Sequence, residues 1–194
     1  MEKFGIGQGV TREEDPRLLR GRGLFVNDVD LPHQAHAIVL RSPHAHADIL
    51  SIDVTAAAAL PGVLAVYTGE DVAADNLGVP GMPAKWLRPD GEPMKYRPQP
   101  PLAIGRVRYV GDPVALIVAD TLDQARDAAE AVEIDYAPLP SVTDTARTVD
   151  ADAPLVWDDF SDNVSGLYQA GDAAATEAAF ATADKIVSRR FVIS

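Results

Sequence analysis

Apolar positions recur at two spacings along this chain, and the switching between them predicts short strands alternating with helices. AHAIVLR (35–41) carries a period-2 pattern around Ile38 and Leu40, which predicts a strand. DILSIDV (48–54) also alternates, placing Leu50, Ile52 and Val54 on one face and Ile49, Ser51 and Asp53 on the other. Thr55 then caps an Ala-rich helix over 56–60, Pro61-Gly62 ends it, and VLAVY (63–67) reads as the next strand. Further on, VRYV (107–110) and a Gly111-Asp112-Pro113 turn lead into VALIVAD (114–120). That run is apolar on both faces, which places it centrally in a sheet. TLDQ reads as a capping box with Thr121 at the N-cap and Gln124 at N3. The helix it opens has an apolar stripe at Leu122, Ala125, Ala128, Ala129 and Val132. VEIDY (132–136) completes a second strand–helix–strand unit, whose crossover is right-handed if its strands are parallel neighbours.

Other stretches lack a sustained period. Residues 1–20 read as an extended arm, with Pro16 limiting any helix before it. Residues 78–101 hold 7 of the 15 prolines, with Trp86 and Tyr96, and form a long excursion that no sheet or helix accommodates. Residues 137–165, with three prolines and six aspartates, read as a linker. GLYQAG (166–171) is expected to be a strand, Asp172 an N-cap, DAAATEAAFATA (172–183) a helix, and KIVSRRFVIS (185–194) a strand. In that last strand Val187, Arg189, Phe191 and Ile193 share a face, and no Gly, Pro or Asn ends it. An apolar strand left unpaired exposes edge groups, so the expectation is a fragment, or a chain that needs a partner to continue it.

Composition narrows the function classes. The 194 residues are long enough for one good core, or for one domain and part of another. Hydrophobic residues make up 47% and charged residues 24%, as in an ordinary globular protein. The longest apolar run, VALIVA (114–119), has strand length, and MEKFGIGQ lacks a signal core, so membrane insertion and secretion are not expected and the location expected is cytoplasmic. The absence of Cys excludes disulfides, thiolate metal sites, Cys nucleophiles and any iron–sulfur cluster held by this segment. A net charge of −12, from 17 basic and 29 acidic residues, argues against nucleic acid and anionic membranes as partners.

Local chemistry is sparse. His33, His36, His44 and His46 crowd into 14 residues, and on a strand His44 and His46 would share a side. They lack a Cys companion and a third ligand from another element, so hydrogen-bonded imidazoles are the preferred reading. Gly5, Gly7, Gly9, Gly21 and Gly23 lack the strand and helix that a dinucleotide fingerprint requires, and are read as turn formers with positive φ. Ser42 beside His44 has no G-x-S-x-G elbow and forms no relay. Glu13-Glu14-Asp15 and Asp158-Asp159 read as solvated charge, and Gly111-Asp112-Pro113 as a structural turn.

Five blocks taken in order carry a resemblance. They are GIGQGVTREEDPRLLRGRGLFVNDVDLP (5–32), RSPHAHADILSIDV (41–54), LPGVLAVYTGEDV (60–72), PLAIGRVRYVGDPVALIVADT (101–121) and AEAVEIDYAPLP (129–140). Together they resemble the start of the large, molybdenum-carrying subunit of the xanthine dehydrogenase and aldehyde oxidase family, nearest the bacterial carbon-monoxide-dehydrogenase type. DNVSGLYQAGDAAATEAAF followed by KIVSRRF looks like the opening of that family's first molybdenum-domain module. The resemblance implies an α/β (α+β) fold: a hammerhead domain with a mixed sheet and short strand–helix–strand units, then a β-α-β fragment of a second domain. The corresponding divisions are an arm at 1–20, the hammerhead at 21–140, a linker at 141–165 and an incomplete molybdopterin-binding domain at 166–194.

The resemblance also implies oxidation of a small substrate (carbon monoxide, an aldehyde, a purine or another N-heterocycle) with oxygen taken from water. The whole enzyme would use molybdopterin with molybdenum, expected as the cytosine dinucleotide. [2Fe–2S] clusters and FAD would sit on separate small and medium subunits, in a dimer of heterotrimers that also includes the remainder of the large subunit. The family's pterin loops, Glu base and any Cys loop fall beyond Ser194. No catalytic, cofactor-binding or metal residue is therefore expected in this chain, which alone is expected to be inactive. Arg17, Arg20 and Arg22 of DPRLLRGRG are the expected inter-domain or inter-subunit contacts. The competing readings are a free-standing hammerhead adaptor without redox activity and, last, a small hydrolase.

Overall fold

The structure, a computed structural model, describes Gly9, residues 11–76 and residues 86–191. In chain order the described elements are α1 (Asp15–Leu18), β1 (His36–Arg41), β2 (Ala47–Asp53), α2 (Thr55–Ala58), β3 (Val63–Thr68), α3 (Gly69–Ala74), β4 (Arg106–Val107), β5 (Pro113–Ala119), α4 (Leu122–Glu130), β6 (Glu133–Pro138) and α5 (Ala173–Ala181). The chain divides into two compact units, each assembled from separated stretches. One takes Met1–Leu40, Asp53–Val66 and Leu116–Glu133; the other takes Arg41–Ile52, Tyr67–Ala115 and Ile134–Ser194.

The strands of the first unit form a sheet ordered β1-β5-β3. β5 is central, as its unbroken apolar run predicts, and Ile117 and Ala119 are fully buried. Pro113 occupies the first strand position, where a missing N–H is tolerated. Asp120 N–H donates to the Gly62 carbonyl at 2.9 Å. Gly62 has φ +82, and a Cβ there would strike the Gln124 side chain, so this turn needs glycine. Thr121 caps α4 as expected, its hydroxyl accepting from Gln124 N–H at 3.2 Å. α4 packs on α2, and the fully buried residues of the pair are all alanine: Ala57, Ala125 and Ala128. Leu122, on the predicted stripe, is 37% exposed and stays at the rim.

The second unit carries the sheet β4-β2-β6, with β2 and β4 antiparallel in the register Ala47↔Val107 and Asp48↔Arg106. Its core gathers Ala47, Ala103, Val107 and Val114, with Ile49, Ile52, Ile134 and Tyr136 packed against them. Four expectations need correction. The faces of β2 do not alternate cleanly: Ile49 and Ile52 both pack inward while Leu50 is 62% exposed. The register with β4 covers two positions, and the Ile49 N–H bond to the Gly105 carbonyl at 2.9 Å continues it.

Thr55 is inside α2 rather than capping it. The Asp53 carboxylate accepts from its N–H at 2.8 Å, and the Thr55 hydroxyl, then that N–H, holds Asp53 below its ordinary pKa. Neither strand–helix–strand unit is a crossover within one sheet, because β2 and β3 lie in different sheets, as do β5 and β6. A link as short as the one between Asp53 and Val63 does not suit a parallel crossover. Finally, α5 forms where expected, with Asp172 Oδ1 accepting from Ala175 N–H at 2.9 Å, but among the described residues no strands flank it. Residues 166–171 make one isolated bridge, Leu167↔Leu87, and residues 185–191 have no regular structure. Ile193 lies outside the described residues.

α3 is not among the elements that the hydrophobic pattern predicts. The Asp71 carboxylate accepts from the Thr68 N–H at 2.7 Å and the Thr68 hydroxyl at 2.8 Å, which pulls Asp71 below its ordinary range. Among the described residues no helix is long and apolar enough to cross a membrane.

Candidate functional site

The stretches 86–105 and 139–165 keep no sustained hydrophobic period and are ordered by polar partners. Arg88, whose side chain is buried, is the anchor of the Pro-rich excursion. It donates to Asp162 Oδ2 at 2.6 Å and to the Val164 carbonyl, and Asp90 stands 3.5 Å away. Arg88, together with the Val164 N–H, holds Asp162 far below the usual carboxylate range. The clasp is flanked by the bridges Leu87↔Pro93 and Leu87↔Leu167. Within residues 141–165, Asn163 ties the chain to itself by hydrogen bonds. Asn163 donates to the Thr148 and Pro154 carbonyls at 3.1 and 3.0 Å and accepts from Val156 N–H at 3.0 Å.

Next to this lies a cavity of about 430 Å³, walled by the 97–112 segment together with Val156 and Trp157. Three guanidinium groups reach it. Arg97 pairs with Asp159. Arg106 bonds Asp48 at 2.5 Å and Asp158 at 2.7 Å, which raises its pKa above the ordinary value. Arg108 differs: its guanidinium carbon sits 3.6 Å from the centroid of the Trp157 ring, and its hydrogen bonds go to the carbonyls of Val156 and Arg106, each at 3.3 Å. Burial, then the like charge of Arg106, pushes Arg108 below its ordinary pKa. Gln99 donates to the Tyr109 hydroxyl at 2.9 Å beside it.

The Gly111-Asp112-Pro113 turn serves this region as structure. Gly111 has φ +90, and the buried Asp112 accepts from Arg108 N–H at 2.9 Å. Backbone bonds Ser42 N–H to Asp112 O (2.9 Å) and Gly111 N–H to Ser42 O (2.8 Å) lock the turn to the β1–β2 connection. Ser42 is buried, its hydroxyl bonded to the His44 backbone, so it is a turn residue and not a nucleophile.

His44 and His46 lie in that connection, not on a strand. The His44 ring contacts Tyr136 at 4.8 Å between centroids, and His46 Nδ1 lies 2.9 Å from the Pro140 carbonyl, which assigns the proton to that nitrogen. His33 has φ 62 in a turn, and His36 is half-buried on β1. Gly21 has φ +67, as a turn former should, whereas Gly23 lacks positive φ; Gly5 and Gly7 lie outside the described residues. Glu14 pairs with Arg17 at 3.0 Å and Asp15 with Arg12 at 3.9 Å. Asp158 and Asp159 are exposed, as solvated charge should be, and are also ion-paired with Arg106 and Arg97. Arg17, Arg20 and Arg22 are all exposed. Arg88, Arg97, Arg106, Arg108 and Trp157 escaped sequence reasoning. The available signal was complementary charge: a basic 88–108 segment against aspartates at 158, 159 and 162.

Among the described residues the donor set does not fit an iron–sulfur cluster or a metal ion held by side chains. Iron–sulfur clusters are bound by thiolates and the chain has no Cys, while among the described residues no three His, Asp or Glu side chains converge on one point.

Comparison with known proteins adds the context. Residues 20–140 match the family model described as aldehyde oxidase and xanthine dehydrogenase, a/b hammerhead domain. The carbon monoxide dehydrogenase large chain of Afipia carboxidovorans is 38% identical over 199 aligned residues, covering 96% of this chain and 23% of its own. The nicotine 6-hydroxylase large subunit of Paenarthrobacter nicotinovorans is also 38% identical, covering 94% of this chain and 21% of its own. Among solved structures, a Cu,Mo-CO dehydrogenase in the carbon monoxide reduced state superposes with a TM-score of 0.67 at 36% identity, over 93% of this chain and 23% of that one. The chain thus spans less than a quarter of the length of these relatives.

Proposed function

Because the chain belongs to the aldehyde oxidase and xanthine dehydrogenase family through its hammerhead domain, we propose that it is a structural segment of a molybdenum hydroxylase large subunit. The lopsided coverage carries this reading: nearly all of this chain aligns with under a quarter of each relative. The whole enzyme oxidises a small substrate (carbon monoxide, an aldehyde or an N-heterocycle) with oxygen from water. Molybdopterin, as the cytosine dinucleotide, serves it in the rest of the large subunit, and [2Fe–2S] and FAD subunits complete a dimer of heterotrimers. The segment contributes an arm at 1–20, the hammerhead at 21–140, a connection at 141–165 and the start of the molybdenum domain at 166–194.

Surface chemistry supports a packing role. Leu19, Leu24, Phe25, Val26 and Leu31 are each more than 60% exposed, beside the exposed Arg17, Arg20 and Arg22. An apolar run rimmed by arginines is the composition of a contact surface. Arg suits such a place because its stem packs while its fork bonds. Alanine at all three arginines is expected to weaken assembly of the full enzyme, read by size-exclusion chromatography; unchanged assembly refutes their role.

Two measurements test the main reading. The purified 194-residue chain is expected to contain no stoichiometric molybdenum and to reduce no dye with carbon monoxide, aldehydes or N-heterocycles; either activity or metal overturns it. Sequencing past the Ser194 codon is expected to find a continuing frame with Gly-rich pterin loops, and neighbouring genes for FAD and Cys-rich subunits.

A further inference from the structure

We infer that the 430 Å³ cavity is a binding site for one carboxylate, seated on the Arg108 guanidinium where it lies over Trp157. This inference stands apart from the family reading and rests on the local chemistry alone.

Arg108 is the unbalanced cation of the cavity. Arg97 and Arg106 each have an aspartate partner, whereas among the described residues no carboxylate lies within ion-pair distance of Arg108. Its two protein acceptors are neutral carbonyls, and they use Nε and Nη1. Nη2 has no protein acceptor among the described residues and remains available to a ligand. Trp157 fixes the plane of the guanidinium, so the fork is oriented before anything binds. Burial and the charge of Arg106 both disfavour a lone cation here, and a bound anion relieves both.

Charge selects the ligand class. Guanidinium forks take carboxylates and phosphates side-on. Asp112 is on the cavity wall, and Asp48 and Asp158 also act on Arg108 electrostatically. That acidic surround opposes a dianion more strongly than a monoanion, which favours carboxylate over phosphate. The walls contributed by Pro98, Pro100, Ile104 and Val156 are apolar and suit a carboxylate carried on a hydrophobic body. Tyr109 accepts from Gln99 and so keeps its own O–H free to donate.

The carboxylate belongs either to a free organic acid or to an Asp or Glu side chain of the larger assembly, and the test separates the two. In a Trp86→Phe background, Trp157 is the remaining tryptophan, so its emission reports on the cavity. Titration of the chain with benzoate at constant ionic strength is expected to give a saturable change, about tenfold weaker with phosphate and about tenfold weaker in Arg108→Gln. Arg108→Lys, which keeps the charge but loses the fork, is expected to fall between. Arg97→Gln, already neutralised by Asp159, is expected to change the affinity less than Arg108→Gln. Far-UV circular dichroism confirms that each variant is folded. In a structure of the assembled enzyme, an Asp or Glu side chain on Arg108 assigns the carboxylate to protein, and an open cavity that still binds benzoate assigns it to a free acid. Equal responses to benzoate and chloride, an Arg108→Gln titration matching the parent, or no saturation in the chain together with an unoccupied Arg108 in the assembly overturns the inference.

Discussion

The β1-β5-β3 sheet with α2 and α4, and the irregular stretches 86–105 and 139–165, reach order by opposite means. In the first, small apolar side chains are removed from water completely: Ile117, Ala119, Ala57, Ala125 and Ala128 are all at 0% exposure. In the second, order comes from Arg–Asp pairs between residues 52 to 74 positions apart, with Arg88–Asp162 and Arg106–Asp158 the main ties. Burial is non-directional and tolerates approximate geometry. A guanidinium fork specifies distance and plane, which suits chain that has no ladder or helix to guide it. The difference teaches that irregular chain can be as determined as a sheet when its charges are placed for it.

That contrast can be broken deliberately. The largest effect is expected from Ile117→Ala, which opens a cavity at the centre of β5 and is expected to cost about 2–5 kcal/mol in urea or thermal unfolding. Gly69→Ala comes next. Helix propensity alone favours alanine, but a Cβ at this first position of α3 would run into the Ala103 carbonyl, so a net loss of about 1–3 kcal/mol is expected. A gain in stability would show that the backbone there yields. Thr121→Ala removes the α4 cap and is expected to cost about 1 kcal/mol, whereas Thr121→Ser is expected to restore it.

The smallest global effect, yet the sharpest test of the comparison, comes from the clasp. Arg88→Met is expected to abolish hydrogen-exchange protection across residues 86–94 while leaving α4 protected. Asp162 has a folded pKa below its unfolded value of about 3.9, so its contribution is complete above roughly pH 5 and is lost as pH falls through about 4 and below. Protection at 86–94 is therefore expected to be flat from neutral pH to about 5 and to drop on further acidification. Asp162→Asn is expected to abolish that pH dependence.

Legibility in the sequence follows the same divide. β1, β3, β5, α4 and the Thr121 and Asp172 caps were readable because each signal lies within a few residues of what it specifies. α3 was readable too, through Thr68 and Asp71, but was passed over. Leu50 misled because a period of two does not tell which side chains of a strand the core covers. The strands expected around α5 failed for a related reason: extended chain becomes a strand only when a second strand accepts its hydrogen bonds. Arg88 and Arg108 were invisible since nothing near them in sequence names Asp162 or Trp157.

The sheet order β1-β5-β3 has a consequence for how this polypeptide is born. Its central strand starts at Pro113, long after the edge strand that ends at Arg41. At about 5–20 residues per second, a ribosome would hold β1 without its neighbour for roughly 4–14 s. During that interval Ile38 and Leu40 have no permanent cover, so nascent chains are expected to engage holdase chaperones until β5 leaves the exit tunnel.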